Sequence, residues 1–210
     1  MVFPRKTAFS VLAALLFGGF SAVAQTPATP PAAPPAQAQP APPAAAPAPP
    51  APNADPFGEE VTMTAKPIVF MTGSANWDSA FDTLVDSFKS IYGVMEKQGI
   101  TPAGPPLTIY TATDDTGFQY QAAVPIAAEP ANPPKGDIAV GKSPAGRMLK
   151  FVHRGSYDSM DTTYEAITNY LDSKQLEAED LFVEEYVTDP LKTPEDQLVI
   201  NVFVPVKGGT

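Results

Sequence analysis

The chain contains no cysteine among its 210 residues. That excludes a disulfide framework, a thiolate nucleophile and a cysteine-ligated metal site. It has one histidine, His153, so sites needing two histidines, most catalytic zinc arrangements included, are excluded as well. Basic residues are scarce, 13 against 23 acidic ones, for a net charge of −10. The deficit argues against non-specific binding to nucleic acid or anionic lipid, since both reward a basic face. Past the first 24 residues no apolar run approaches the ~20 residues needed to cross a bilayer.

Proline, by contrast, is abundant, 26 residues in all, and it is unevenly spread. Pro27 to Pro56 hold 13 of them within a stretch of Ala, Pro, Gln and Thr. Proline lacks an amide donor and holds its neighbours extended, so residues 25–56 cannot build a ladder or a core. They read as a disordered linker, a polyproline II spacer of semi-rigid character. Ahead of it, Arg5 and Lys6 precede an apolar run from Ala8 to Phe20, and Ala22-Val23-Ala24 gives a small-x-small cleavage pattern before Gln25. This is the layout of a signal peptide over residues 1–24, and it implies a periplasmic or secreted protein. An uncleaved inner-membrane anchor is the alternative, because the spacer would then hold the folded part away from the membrane.

From residue 57 to 210 the composition becomes ordinary and the length suffices for one core. Trp77, Phe81, Leu84, Val85, Phe88, Ile91, Tyr92 and Met95 recur at helical spacing and end before Gly99. Met160, Tyr164, Ile167 and Leu171 form a second stripe, with Ser156 or Asp158 available as its cap. β-rich runs precede each helix (Ile68 to Thr72, Met148 to His153) and two more follow each: Leu107 to Thr111 with Phe118 to Ile126, then Leu181 to Thr188 with Gln197 to Val206. A shift of 80 places Trp77-Asp78-Ser79 on Tyr157-Asp158-Ser159 and Val124-Pro125-Ile126 on Val204-Pro205-Val206. The chain is therefore an internal duplication of a strand-helix-strand-strand unit. One such unit buries its apolar face poorly, so two should pack together. The expected fold is α+β: duplicated β-α-β-β modules with pseudo-two-fold symmetry, an antiparallel sheet with two main helices, and a central groove where the halves meet.

Within the second half three motifs stand in order: His153-Arg154-Gly155-Ser156-Tyr157, then Glu184-Glu185-Tyr186-Val187-Thr188-Asp189-Pro190, then Val204-Pro205-Val206. Their types and spacing resemble the GyrI-like small-molecule-binding family, the effector-binding domain also found behind AraC-type and MerR-type DNA-binding regions and related to the SOUL fold. The resemblance covers residues 137 to 207 directly and residues 60 to 130 mainly through the repeat. It implies two modules flanking a groove in which a glutamate of the Glu-x-Tyr motif, here Glu184 followed by Tyr186, faces apolar cations among aromatic side chains. Strand alternation independently puts 184 and 186 on one face, with 183, 185 and 187 on the other. No stretch reads as a DNA-binding domain, so control of transcription and a nucleic-acid partner are not expected.

The candidate ligand-binding residues are Glu184, Tyr186, Tyr110, Tyr157, Trp77, Tyr164 and Phe81. A carboxylate among aromatics is costly to leave unpaired and favours a cationic guest, and aromatic faces add cation–π attraction of ~0.5–2 kcal/mol each. His153 ends a strand before a turn and reads as a structural hydrogen-bond partner. The acidic run Glu177, Glu179, Asp180, Glu184 and Glu185 reads mostly as a solvated face and lacks calcium-loop spacing. Three functions follow. The leading one is an exported module, not an enzyme, that needs no cofactor or metal and captures a small apolar or cationic molecule between its halves, favoured if the groove is open and aromatic-lined with Glu184 at its floor. The second is a ring-opening hydrolase with Glu184 as base, favoured if a buried Glu184 of raised pKa lies beside a second polar group. The third is an envelope partner-binding protein with a filled groove. If export proceeds as read, N-terminal sequencing of the exported protein begins at Gln25 and its net charge is −12, from −10 less the two cations Arg5 and Lys6; a start at Met1 sinks cleavage.

Overall fold

Residues 57–208 are described by a computed structural model; the signal-like segment, the proline-rich linker and residues 209–210 lie outside the described residues. The first apolar stripe forms helix α1 (Ala80–Gln98), whose Leu84, Phe88, Ile91 and Met95 are buried on one side. Trp77 falls just outside it, in a 3-10 turn at Trp77–Ser79. Gly99 stops α1 in a left-handed conformation, φ 67°, which glycine adopts without a side-chain clash, and its N–H bonds back to the Glu96 and Met95 carbonyls. The second stripe forms α2 (Met160–Lys174), preceded by a 3-10 turn at Tyr157–Ser159 that the Ser156 side chain caps. Of the two cap candidates, Ser156 takes the role while Asp158 sits inside the turn.

Eight strands form one antiparallel sheet: β1 (Glu59–Met63), β2 (Pro67–Asn76), β3 (Leu107–Thr113), β4 (Gly117–Pro125), β5 (Ile138–Lys142), β6 (Gly146–Arg154), β7 (Phe182–Tyr186) and β8 (Val199–Pro205). Their order is β1-β6-β8-β7-β3-β4-β2-β5. Adding four to each strand number of the first half turns this order into its own reverse, so the sheet carries the pseudo-two-fold of the duplication. The β-α-β-β modules are present, but each half of the sheet has a fourth strand. β1 pairs with β6 and β5 pairs with β2, so each repeat lends its first strand to the other half. β1 and β5 escaped the sequence reading because both are short edge strands of low β-propensity, Glu-Glu-Val-Thr-Met and Ile-Ala-Val-Gly-Lys. Pro125 and Pro205 close β4 and β8, strand ends where the missing donor is tolerated.

The central pair is β3 with β7. Its register sets Thr108 opposite Glu184, Ile109 opposite Val183 and Tyr110 opposite Phe182. Here the repeat offset is 76 rather than 80, relating Tyr110 to Tyr186 and Thr108 to Glu184. Helix α2 is four residues shorter than α1, 15 against 19, and the longer connection before β8 restores the difference. The pseudo-dyad therefore passes between Thr108 and Glu184. Consistently, the Tyr186 N–H bonds to the Pro106 carbonyl, the dyad image of the Tyr110–Phe182 pairing.

Both helices lie on one face, α1 against β2 and β4 and α2 against β6, so β3 and β7 floor the space between them. The main core fills this face, with Val69, Tyr120, Val124, Leu149, Phe151, Ile200 and Val202 under the helices. A smaller cluster of Ile68, Leu107, Ile109, Ala123, Met148, Val183 and Phe203 occupies the opposite face. Phe88 joins the two halves, its ring meeting Tyr186 of β7 edge-on at 5.3 Å. Replacing it with alanine removes a fully buried ring at this seam, so Phe88→Ala should cost about 3–5 kcal/mol, read from the denaturant midpoint; a loss below about 1 kcal/mol would contradict this packing.

Candidate functional site

Glu184 lies mid-strand in β7 with its carboxylate toward the helices and no exposure to solvent. Strand alternation places Phe182, Glu184 and Tyr186 on the same face, and all three are buried. Four tyrosine hydroxyls converge on the carboxylate. Tyr164 of α2 donates to Oε1 at 2.7 Å. Tyr186 and Tyr110 donate to Oε2 at 2.9 and 3.0 Å, and Tyr157 stands at 3.4 Å from the same oxygen. The Tyr110 and Tyr157 hydroxyls are also 2.7 Å apart. Because Tyr110 gives its proton to Glu184, Tyr157 is the donor between them.

The electrostatics follow from this geometry. Burial raises the Glu184 carboxyl above its ordinary range, and the hydroxyls of Tyr164, Tyr186, Tyr110 and Tyr157 pull it partly back. The same burial, reinforced by the negative charge of Glu184, pushes all four phenols well above their usual value. They stay neutral, and toward the carboxylate they can act only as donors. Hydrogen bonds to a charged group contribute about 1.5–3 kcal/mol each, whereas burying an unpaired carboxylate costs several kcal/mol. Three short hydroxyl bonds therefore roughly offset the desolvation without cancelling the charge.

The rings behind the hydroxyls are packed on one another. Phe81 of α1 stacks on Tyr157 at 5.1 Å across the seam between the halves, and both Phe81 and Tyr164 remain half-buried. Phe182 stacks on Tyr110 at 4.3 Å and meets Tyr164 edge-on at 5.2 Å. Six of the seven sequence candidates thus come together: Glu184, Tyr186, Tyr110, Tyr157 and Tyr164 directly, and Phe81 through Tyr157. Trp77 stands apart. It is 39% exposed, its indole N–H donates to the Asp114 carbonyl, and its ring packs on Phe118, which in turn touches Tyr110.

Thr108 and Phe182 were not singled out from sequence. The buried Thr108 faces Glu184 across the dyad, its hydroxyl 3.5 Å from that of Tyr186. The Tyr110/Tyr186 recurrence carries the offset that would have found it, and alternation from Glu184 would have found Phe182. The acidic run divides: Glu184 is buried, Glu177 pairs with Lys207, and Glu185 accepts from Asn201 on the other face. No buried side-chain nitrogen or oxygen among the described residues lacks a partner. Neither a group of three potential metal ligands nor a helix long and apolar enough to cross a membrane occurs among the described residues.

The family described as GyrI-like small molecule binding domain matches residues 59–207. The C-terminal domain of EcmrR is similar in fold, with a TM-score of 0.60 at 15% identity over 71% of this chain and 96% of that one. In the EcmrR–DNA complex the chain spans 56% of the regulator's length, at a TM-score of 0.61. A hydrolase from Listeria innocua gives a TM-score of 0.52 at 13% identity, covering 72% of this chain and 92% of that one. SAV2435, solved bound to tetraphenylphosphonium, gives 0.52 at 17% identity over 72% and 94%. At these identities the likeness is one of fold. No curated protein sequence matches the chain.

The pH dependence of folding isolates the buried carboxylate. A raised folded-state pKa means that Glu184 contributes stability fully below the unfolded carboxylate value and loses it as pH rises through the folded value. Relative to Glu184→Gln, the native chain should therefore become progressively less stable from about pH 4.3 upward and then level off. Parallel stability curves for the two proteins across that window would contradict the upward shift.

Proposed function

The chain belongs to the GyrI-like small molecule binding domain family, and from that premise we propose that it is an exported module that captures a hydrophobic cation against Glu184. The observation that carries this reading is the imbalance at the site: a fully buried carboxylate whose partners are four neutral hydroxyls. A cation entering among these rings meets an unneutralised charge in a medium of low dielectric, where attraction is strongest. Flat aromatic walls add cation–π contact and reward a guest whose charge is weakly hydrated. Tyr157, whose proton goes to Tyr110 and whose hydroxyl stands 3.4 Å from Oε2, is the hydroxyl most readily exchanged for a guest. Tetraphenylphosphonium, bound by SAV2435, is a probe of the right chemistry. Export rests on the basic start, apolar run and Ala22-Val23-Ala24 pattern of the first 24 residues, with the proline-rich residues 25–56 as a tether ahead of the binding domain.

A second reading, hydrolysis with Glu184 as base, draws on the raised carboxyl beside phenolic hydroxyls. Three of those hydroxyls, from Tyr110, Tyr164 and Tyr186, donate to the carboxylate and engage the lone pairs that would activate water. Glu184 is also the only fully buried carboxylate among the described residues, so no comparable group stands ready as an acid. Capture is the better supported of the two.

Calorimetric titration of the full chain with tetraphenylphosphonium tests the proposal. Binding is expected, with Glu184→Gln weakening it at least about a hundredfold, because the cation would then be buried without a counter-charge. Affinity should rise with pH through the range where Glu184 ionises, since the cation binds the carboxylate and competes with its proton. Absence of binding, or equal affinity in the variant, would refute the cation reading.

A further inference from the structure

His153 is buried, with 3% of its surface exposed, and it touches neither Glu184 nor any of the four tyrosines through a hydrogen bond. It stands at the end of β6, on the helix side of the sheet with Leu149 and Phe151, opposite Ile200. Its Nε2 lies 3.1 Å from the carbonyl oxygen of Ser156, and its Nδ1 lies 2.8 Å from the hydroxyl of Thr163. A carbonyl can only accept, so Nε2 carries the proton, and Nδ1 accepts from Thr163. Burial holds the imidazole below its usual pKa, in keeping with a neutral ring.

The two residues held by this ring are the immediate chain predecessors of two cage tyrosines. Ser156 precedes Tyr157, and Thr163 precedes Tyr164. Tyr157 stands 3.4 Å from Oε2 of Glu184 and donates to Tyr110, which donates to that oxygen, while Tyr164 donates to Oε1, so one rigid imidazole spans the segments that place hydroxyls beside both carboxylate oxygens. Besides His153, the Ser156 turn is tied to the segment before β8, where the Ser156 hydroxyl donates to Glu195 at 3.1 Å. Its bonds from the Ser159 N–H and hydroxyl lie within the turn itself, and the Gly155 N–H bond to the Leu198 carbonyl fixes it on the β8 side. Gly155 adopts φ 120°, a conformation that lets the chain leave β6 and present Tyr157 at once. On the β6 side the tie is His153.

We propose that His153 is the positioning residue of the site, setting through Ser156 and Thr163 where the Tyr157 and Tyr164 hydroxyls meet Glu184 and thereby how tightly the site holds its guest. The role rests on the cation reading above. It explains why a histidine, and not another buried side chain, stands there: two hydrogen-bonding atoms on opposite sides of one flat ring can hold two segments at a fixed separation.

Half-mimics of the ring separate its two contacts. Asparagine places a polar atom near Nδ1 and keeps the Thr163 contact; glutamine reaches the Nε2 position and keeps the Ser156 contact. Tetraphenylphosphonium affinity is measured on the full chain for His153→Asn and His153→Gln, each alone and combined with Tyr157→Phe or Tyr164→Phe. His153→Asn should raise Kd about tenfold with Tyr157 present, as expected for a misplaced buried hydrogen bond, and less than about twofold when Tyr157→Phe is already made. His153→Gln should couple in the same way to Tyr164 and not to Tyr157. Equal losses in every background, or none, would overturn the positioning role while the native protein still binds. Failure of the native protein itself to bind would instead overturn the cation reading.

If the half-mimics do not fold, the native protein still decides the matter. His153 is the only histidine in the chain, so the ring nitrogen signals of the untagged protein need no assignment. The proposal requires the Nε2-protonated tautomer and a change in those signals when tetraphenylphosphonium is added. An Nδ1-protonated ring, which could not donate to Ser156, or signals indifferent to the cation, would overturn it.

Discussion

One buried negative charge organises this protein. Glu184 has lost its water, and the groups that replace the water are hydroxyls without charge. Everything around the carboxylate reads as a consequence. The hydroxyls must come from tyrosines, because each has to bring an apolar ring into the core with its donor. The rings must be packed to hold their donors still, which is what the Phe81–Tyr157 and Phe182–Tyr110 stacks accomplish. The charge persists at a level of desolvation that solvent would relieve, and this gives a cationic guest something to neutralise.

The duplicated architecture supplies the place for such a charge. Two copies of a β-α-β-β unit joined through β3 and β7 create a seam floored by strands and flanked by helices. The exchanged edge strands β1 and β5 tie each copy to the other, so the seam is held from both sides. On the pseudo-dyad the two copies differ by one residue of consequence, Thr108 in the first and Glu184 in the second. Two carboxylates there would repel each other and one would take up a proton. A threonine opposite a glutamate leaves one charge, with Tyr110 and Tyr186 placed symmetrically about it.

Much of this was legible in the sequence, for identifiable reasons. The stripe of Leu84, Phe88, Ile91 and Met95 has helical period and ends at Gly99, and it forms α1 as read. The offset of 80 revealed the repeat, and the Glu-x-Tyr motif with strand alternation pointed to Glu184 and Tyr186. What escaped depends on contacts far apart in the chain. β1 and β5 are strands because they find partners in the opposite repeat, not because of their own propensity. Trp77 occupies the position equivalent to Tyr157, yet the Asp114 carbonyl and Phe118 of the first hairpin engage it away from the carboxylate. That Tyr164, one helical turn into α2, would reach Oε1 could not be read from periodicity, which assigns a face and not a hydrogen bond. His153 was read as a structural hydrogen-bond partner, and it is one, but which segments it joins emerges only in three dimensions.

Burial disfavours the Glu184 carboxylate, and a bound cation would relieve it. Carbon-13 NMR titration of the Glu184 carboxyl in the full chain addresses it most directly. A midpoint above the ordinary glutamate value of about 4.3 is expected in the protein alone, moving downward once tetraphenylphosphonium saturates the site. A midpoint at or below the ordinary value in the protein alone, or one that the cation leaves unmoved, would contradict this.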